Sequence, residues 1–246
     1  MRKLHVILCV AALICTMSFT SCLDAAKNEY RVTSATFATV TRSESGAYRL
    51  FLDQGRGIVD PSANGPEVNW GDAQRVYLYY DIPFVDTLYD YTRYRTIVRD
   101  AWKIDTTRFV DVTGLSEFPK ALGNDTLYYF DFQAYWGFLT IMASPGNKEN
   151  FHMTCSYDRN EFKGDTLYLN LHYARREGTW GMSLPQTVCA EIPEFVRNSV
   201  ASDSLCIAMS APCWYSTAAD SVVTRTNYFK ISKRRLVPPT YDGIGF

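Results

Sequence analysis

From residue 30 onward the apolar side chains recur at every second position, and that period leaves room for little but β-structure. In 166–173, Leu167, Leu169 and Leu171 share one face while Tyr168, Asn170 and His172 share the other, which is the pattern of a strand with one wetted side. No segment shows convincing helical periodicity; 115–122 offers at most one turn. The 17 Tyr, 14 Phe and 5 Trp, in a chain that is only 21% charged, agree with a folded, β-rich protein.

Two groups of strands emerge. The first spans 30–40, 48–53, 75–82 and 93–104, with a short fifth strand near 109–112. Glu44-Ser45-Gly46 makes a tight hairpin, and Pro61 and Pro66 break a long central connection. Five short strands with one long connection suit a small closed barrel of the OB type over 30–112. Residues 113–123, holding Gly114 and Pro119, form the linker. The second group runs through 126–133, 135–143, 150–158, 166–173, 186–192, 204–210 and 227–232. Seven short strands predict an Ig-like β-sandwich over 124–233, with a flexible tail over 234–246. The chain is therefore expected to be all-β, an N-terminal OB-like barrel followed by a sandwich. Asp-Thr-Leu-Tyr occurs at 86–89, 125–128 and 165–168; the residues between do not match, so Asp and Thr are taken as turn formers that lead into strands.

The N-terminus carries a different message. Arg2 and Lys3 precede an apolar run from Leu4 to Phe19, which ends in Phe19-Thr20-Ser21-Cys22. The run is shorter than the ~20 residues of a membrane span, and it has the order of a secretory signal. A small residue before cysteine predicts a lipoprotein: cleavage after residue 21, a lipid on Cys22 and a tether over 22–29. The expected location is the outer membrane, with the periplasmic or surface-exposed face left open.

Charge narrows the partners. With 25 Lys and Arg against 26 Asp and Glu, the net charge is −1, and loss of Arg2 and Lys3 makes the chain more acidic. Nucleic acid is not expected. Of the cysteines beyond Cys22, namely Cys155, Cys189, Cys206 and Cys213, none makes a C-x-x-C pair. Alternation puts Cys189 and Cys206 on neighbouring strands, so they are the predicted disulfide, while Cys155 reads as a small buried residue. His152 and His172 lie on polar phases without local ligand partners and are expected at the surface; no metal or cofactor is predicted.

Catalytic motifs are missing: there is no G-x-S-x-G, phosphate loop or H-E-x-x-H. Glu191 with Glu194, or Asp81 with Asp86, could in principle form the carboxylate pair of a glycan hydrolase. Acids beside prolines more often lie in solvated turns, so the expectation is a non-enzyme. The barrel's outer face is more informative. If Tyr48, Leu50, Leu52, Val76, Leu78, Tyr80, Ile82, Val98, Trp102 and Ile104 point inward, then Arg49, Phe51, Arg75, Tyr77, Tyr79, Arg95, Ile97 and Arg99 point outward. Aromatics interleaved with arginines suit recognition of a protein or a glycan. Alternatively, Phe51, Tyr77 and Tyr79 pack against the second domain and the arginines are simply solvated. Trp180, between Gly178 and Gly181, is either a second contact point or a lid on the sandwich.

The order of these parts, with Tyr30-Arg31-Val32-Thr33-Ser34-Ala35-Thr36, Tyr48-Arg49-Leu50-Phe51-Leu52-Asp53-Gln54-Gly55, Trp70-Gly71-Asp72-Ala73-Gln74-Arg75-Val76 and the strand 165–173, resembles the NigD-like lipoproteins of Bacteroidota. The resemblance covers roughly 1–232. It implies an OB-like domain plus a β-sandwich and, through the family's link to a bacteriocin gene cluster, an immunity role against a toxin. It supplies no catalytic residues. The expectation is thus a monomeric or weakly associating recognition or scaffold module for a protein or glycan, with immunity and glycan hydrolysis as the alternatives.

Overall fold

The computed structural model describes residues 31–53, 58–59, 74–83, 93–94, 97–117, 119, 122–123, 125–145, 151–175, 186–214 and 221–240. Cys22, Asp86, Arg95 and Trp180 lie outside them. The chain is all-β and divides into a curled N-terminal sheet and a larger C-terminal sandwich, as the alternation predicts.

The first sheet contains β1 (Arg31–Arg42), β2 (Tyr48–Leu52), β3 (Ile58–Val59), β4 (Arg75–Pro83), β5 (Arg93–Tyr94) and β6 (Ile97–Lys103), in the order β5-β3-β2-β1-β4-β6. Gly46, at φ 85°, turns β1 into β2. β5 pairs with β3 in parallel, and two residues later β6 pairs with β4 in antiparallel fashion. The two pieces act as one interrupted strand that draws the sheet's edges together, which is the connectivity of an OB-type barrel. Ala38, Leu50, Leu52, Val76, Leu78, Tyr80 and Val98 form its core.

Two predicted interior residues, Trp102 and Ile104, leave the interior phase. The β4–β6 register runs Tyr77↔Trp102, Leu78↔Ala101 and Tyr79↔Asp100, then shifts so that Tyr80 faces Val98. Arg99 is the extra residue of a bulge, and a one-residue insertion reverses the phase of every residue beyond it. Ala101 therefore packs against the core, and Trp102 is 50% exposed.

β7 (Asp105–Thr106) and β8 (Phe109–Asp111) also depart from expectation. The predicted fifth barrel strand belongs to the sandwich. β7 pairs in parallel with β13 (Gln186–Glu191), and β8 in parallel with β11 (Phe151–Tyr157). Residues 105–111 thus enter both sandwich sheets directly after the barrel ends.

The remaining strands are β9 (Leu127–Tyr135), β10 (Phe138–Pro145), β12 (Thr166–Arg175), β14 (Ser204–Trp214) and β15 (Val222–Ser232). The ladder β7-β13-β10-β9 meets β8-β11-β12-β14-β15 at a single bridge, Cys213↔Leu127. Phe132, Ile141 and Val188 from one side share a core with Leu169, Leu171 and Ile207 from the other. Each such side chain, fully buried, contributes about 1.5–3 kcal/mol. The connection after β13 contains an unforeseen helix, α1 (Glu194–Ser199). Its Phe195 stacks on Tyr157 at 5.1 Å, and Val196 is buried.

The expected flexible tail is packed as far as Thr240. Leu236 is buried, and the Arg235 carbonyl accepts from the Gly137 N–H at 2.8 Å. A turn residue followed by Leu and Pro supplies enough apolar surface to dock.

Candidate functional site

The outer face of the barrel sheet is organised in rows set by register. Thr39 of β1 lies between Phe51 and Arg75, Phe37 lies beside Tyr77, and Tyr77 lies beside Trp102. The next rows hold Ala35, Tyr79 and Asp100, then Thr33 and Asp81.

The sandwich covers the first row. Its β9–β10 turn places two left-handed residues in succession, Trp136 at φ 54° and Gly137 at φ 78°, the backbone of a two-residue hairpin that matches strand twist. That turn sets Trp136 against the outer face of the barrel sheet. Its indole Nε1 donates to the Leu52 carbonyl at 2.9 Å, and its ring meets Phe51 edge-on at 5.7 Å. Beside it, Arg75 forms a two-pronged ion pair with Asp53. Nη1 donates to Oδ1 at 2.7 Å, Nη2 to the other carboxylate oxygen, and neither side chain is exposed. Arg75 also donates to Thr39 Oγ1 in the barrel and to Thr140 Oγ1 of β10, each at 2.8 Å. Gln133 of β9 donates to Asp53 at 3.3 Å. Burial pushes the Asp53 carboxyl above its ordinary range, against the pull of Arg75.

Phe51 thus packs against the second domain, one of the two readings of this face, and Arg75, expected to be solvated or in contact with a ligand, is buried in the same joint. An arginine in a strand reads as solvated. What reverses that reading is a buried carboxylate at Asp53, two strands away, and two polar side chains of the sandwich.

The uncovered rows make the candidate surface. Phe37 and Tyr77 meet at 5.1 Å and 63°, and Tyr77 and Trp102 at 5.9 Å and 37°. Tyr79 is 43% exposed. At the rim Arg99 Nε donates to Asp81 at 2.7 Å, and Thr33 Oγ1 donates to the other oxygen of the same carboxylate at 2.8 Å. Tyr77, Tyr79 and Arg99 thus stay together on one open face. Arg49 is half-buried, two rows from Tyr77 and three from Tyr79, past the joint. Phe37 and Trp102 join the surface without having been foreseen. Phe37 sits in phase with Ala35 and Thr39 on β1, a signal the alternation did carry.

Several other expectations are revised. Cys189 on β13 and Cys206 on β14 have β10 and β9 between them, and all four described cysteines are free. Sequence order suggested adjacency; the sheet order does not provide it. His172 is buried rather than superficial, with Nε2 2.7 Å from Ser156 Oγ. Burial lowers its pKa, against a backbone hydrogen bond at Gly123. His152 is exposed. Glu191 is tied to Arg197 at 3.0 Å, and Glu194 lies exposed in the first turn of α1. Among the described residues no group of three His, Cys, Asp or Glu could hold a metal ion, and no helix is long and apolar enough to cross a membrane.

No protein-family model matches the chain, and no curated protein matches it in sequence. Its fold is shared with solved structures. A Bacteroides vulgatus protein of unknown function, DUF1344, aligns with TM-score 0.60 and 13% identity, over 87% of this chain and 95% of its own. A NigD-like immunity protein from Bacteroides caccae aligns with TM-score 0.55 and 12% identity, over 78% and 91%. A candidate lipoprotein from Bacteroides fragilis aligns with TM-score 0.55 and 12% identity, over 83% and 99%.

Proposed function

We propose that the chain is a non-catalytic, lipid-anchored lipoprotein of the NigD-like type, which recognises a protein partner at the cell envelope through the Phe37, Tyr77, Tyr79 and Trp102 surface. The observation that carries this reading is the exposure of Trp102 and Tyr79 on the part of the barrel face that the sandwich leaves open. Their cluster is not a flat platform: its rings are inclined to one another by 63° and 37°. A ridged aromatic group rimmed by an arginine and carboxylates has the composition of a protein contact. The lipid at Cys22 rests on the signal pattern, in keeping with the likeness to a candidate lipoprotein.

The test is capture from envelope extract by the intact chain, with one extract digested by protease and another oxidised by periodate. Protein recognition requires capture to survive periodate and fail after digestion. Trp102→Ala with Tyr79→Ala must abolish it while the melting temperature holds. Capture indifferent to the double substitution overturns the surface, and capture lost only to periodate overturns the partner class.

A second reading makes the partner a bacteriocin-type toxin, favoured by the likeness to a NigD-like immunity protein. Cells lacking the chain would then be killed by toxin from related strains, and restoring the wild-type chain, but not the Trp102→Ala form, would protect them. Equal survival with and without the chain discards it.

A further inference from the structure

The outer face of the sandwich carries a second constellation, far in sequence from the barrel. Parallel pairing of β12 with β14 sets Tyr168 beside Ala208, and antiparallel pairing of β14 with β15 sets Ala208 beside Tyr228. The two tyrosines therefore stand on one row, two strand spacings or about 9.6 Å apart. Tyr168 is 45% and Tyr228 is 70% exposed, whereas Ala208 between them is buried. One row along stand Asn170, Ser210 and Thr226, with Ser210 and Thr226 hydroxyls 2.8 Å apart. Adjoining them is a cavity of about 290 Å³ whose lining mixes Asn170, His172, Ser210 and Thr224 with Leu171, Ala211 and Pro212, and holds no Asp, Glu, Lys or Arg among the described residues.

This chemistry selects its ligand. A sugar ring has apolar C–H faces that stack on an aromatic side chain and hydroxyl edges that both donate and accept. Amide and hydroxyl side chains answer those edges, since each offers a donor and an acceptor. Among the described residues that line the cavity there is no cation to draw in an anionic group. The volume, just below the usual range of small-molecule pockets at about 300–1,000 Å³, admits no more than a single sugar. An extended β-1,4-linked chain repeats every two sugars over a length close to the main-chain separation of the tyrosines.

We infer that the Tyr168–Ala208–Tyr228 row and the cavity beside it bind a neutral, extended β-1,4-linked glycan. Alternate rings stack on Tyr168 and Tyr228, and the ring between them spans the gap above buried Ala208. Its hydroxyls face Asn170 and Ser210, and the cavity takes a hydroxymethyl group or a single branching sugar.

Titration calorimetry of the intact chain against neutral β-1,4-linked hexasaccharides, unbranched and singly branched, tests the site. Saturable binding to at least one is expected, with Kd in the range of about 10 μM to 1 mM. Tyr168→Ala and Tyr228→Ala should each weaken it about tenfold or more, because each removes one stacking platform. Tyr168→Phe should retain it, and Trp102→Ala, on the other domain, should leave it unchanged. Both tyrosines are exposed, so unfolding curves of the variants should overlay that of the wild type. Absence of binding by every hexasaccharide at about 1 mM, or binding that withstands loss of both tyrosines, overturns the proposal. A dependence on Trp102 instead of Tyr168 and Tyr228 overturns it equally.

Discussion

The guanidinium of Arg75 reaches the carboxylate of Asp53 with both prongs inside the protein, and the same guanidinium donates to Thr140 of the other domain. One buried cation thus closes the barrel's side and holds the sandwich against it. Its Nε makes no hydrogen bond among the described residues, so the pair is well but not completely satisfied.

Removing either partner leaves an uncompensated buried group. Asp53→Asn and Arg75→Met should each cost about 3–5 kcal/mol of unfolding free energy in urea titrations. The double change Asp53→Leu with Arg75→Met should cost less than the sum, because no charge is stranded. Additive losses would show that the two side chains are not energetically coupled.

Gly137 should tolerate no side chain. An added Cβ would stand 2.5 Å from Cδ of Pro238, at a backbone φ of 78°. Gly137→Ala should therefore displace the 235–238 segment, lower the melting temperature, and speed proteolysis after Arg234 and Arg235. Gly114, whose Cβ would meet nothing within 4 Å, is the control: Gly114→Ala, at φ 72°, carries only the conformational strain. Equal losses at both positions would remove the packing argument.

His172 makes stability depend on pH. Its folded pKa lies below the ordinary 6.5 because burial disfavours the charged ring. The unfolded chain therefore binds the proton more readily. The His172 contribution is intact above about pH 6.5 and is lost as pH falls through that value towards the lower folded pKa. Subtracting the profile of a His172→Asn variant isolates this dependence from that of buried Asp53. A difference curve flat between pH 7 and pH 5, on the order of those two units, would contradict it.

The thiols should react in a fixed order. Burial pushes the Cys155 thiol far above its ordinary range and raises Cys189 and Cys213 as well. The thiolate is the nucleophile, so iodoacetamide should label half-exposed Cys206 first and the other three only on unfolding. Mass spectrometry of an unreduced digest should find no peptide joining Cys189 to Cys206.

Much of this architecture was legible because period-two alternation reports which face of a strand is buried, and Leu50, Leu52, Val76, Leu78, Leu167 and Leu169 are placed accordingly. Alternation says nothing about what lies over the other face. It could not reveal that Trp136 and Thr140 cover Phe51 and Arg75, since those contacts join residues far apart in sequence. It also assumes an unbroken ladder. The bulge at Arg99 violates that assumption and turns Trp102 from core to surface. Strand partners across a sandwich were equally hidden, which is why residues 105–111 and the cysteine pairing were misplaced. On the candidate surface, Tyr77, Tyr79 and Arg99 were readable; Phe37 and Trp102 required the register.

Residues 105–111 link the barrel to both layers of the sandwich through two parallel pairings, one with β13 and one with β11. A pull arriving from the barrel side would load those backbone bonds lengthwise and together, instead of peeling them one at a time. A molecule held at one end and gripped at the other would therefore carry the strain across this short segment into both layers at once.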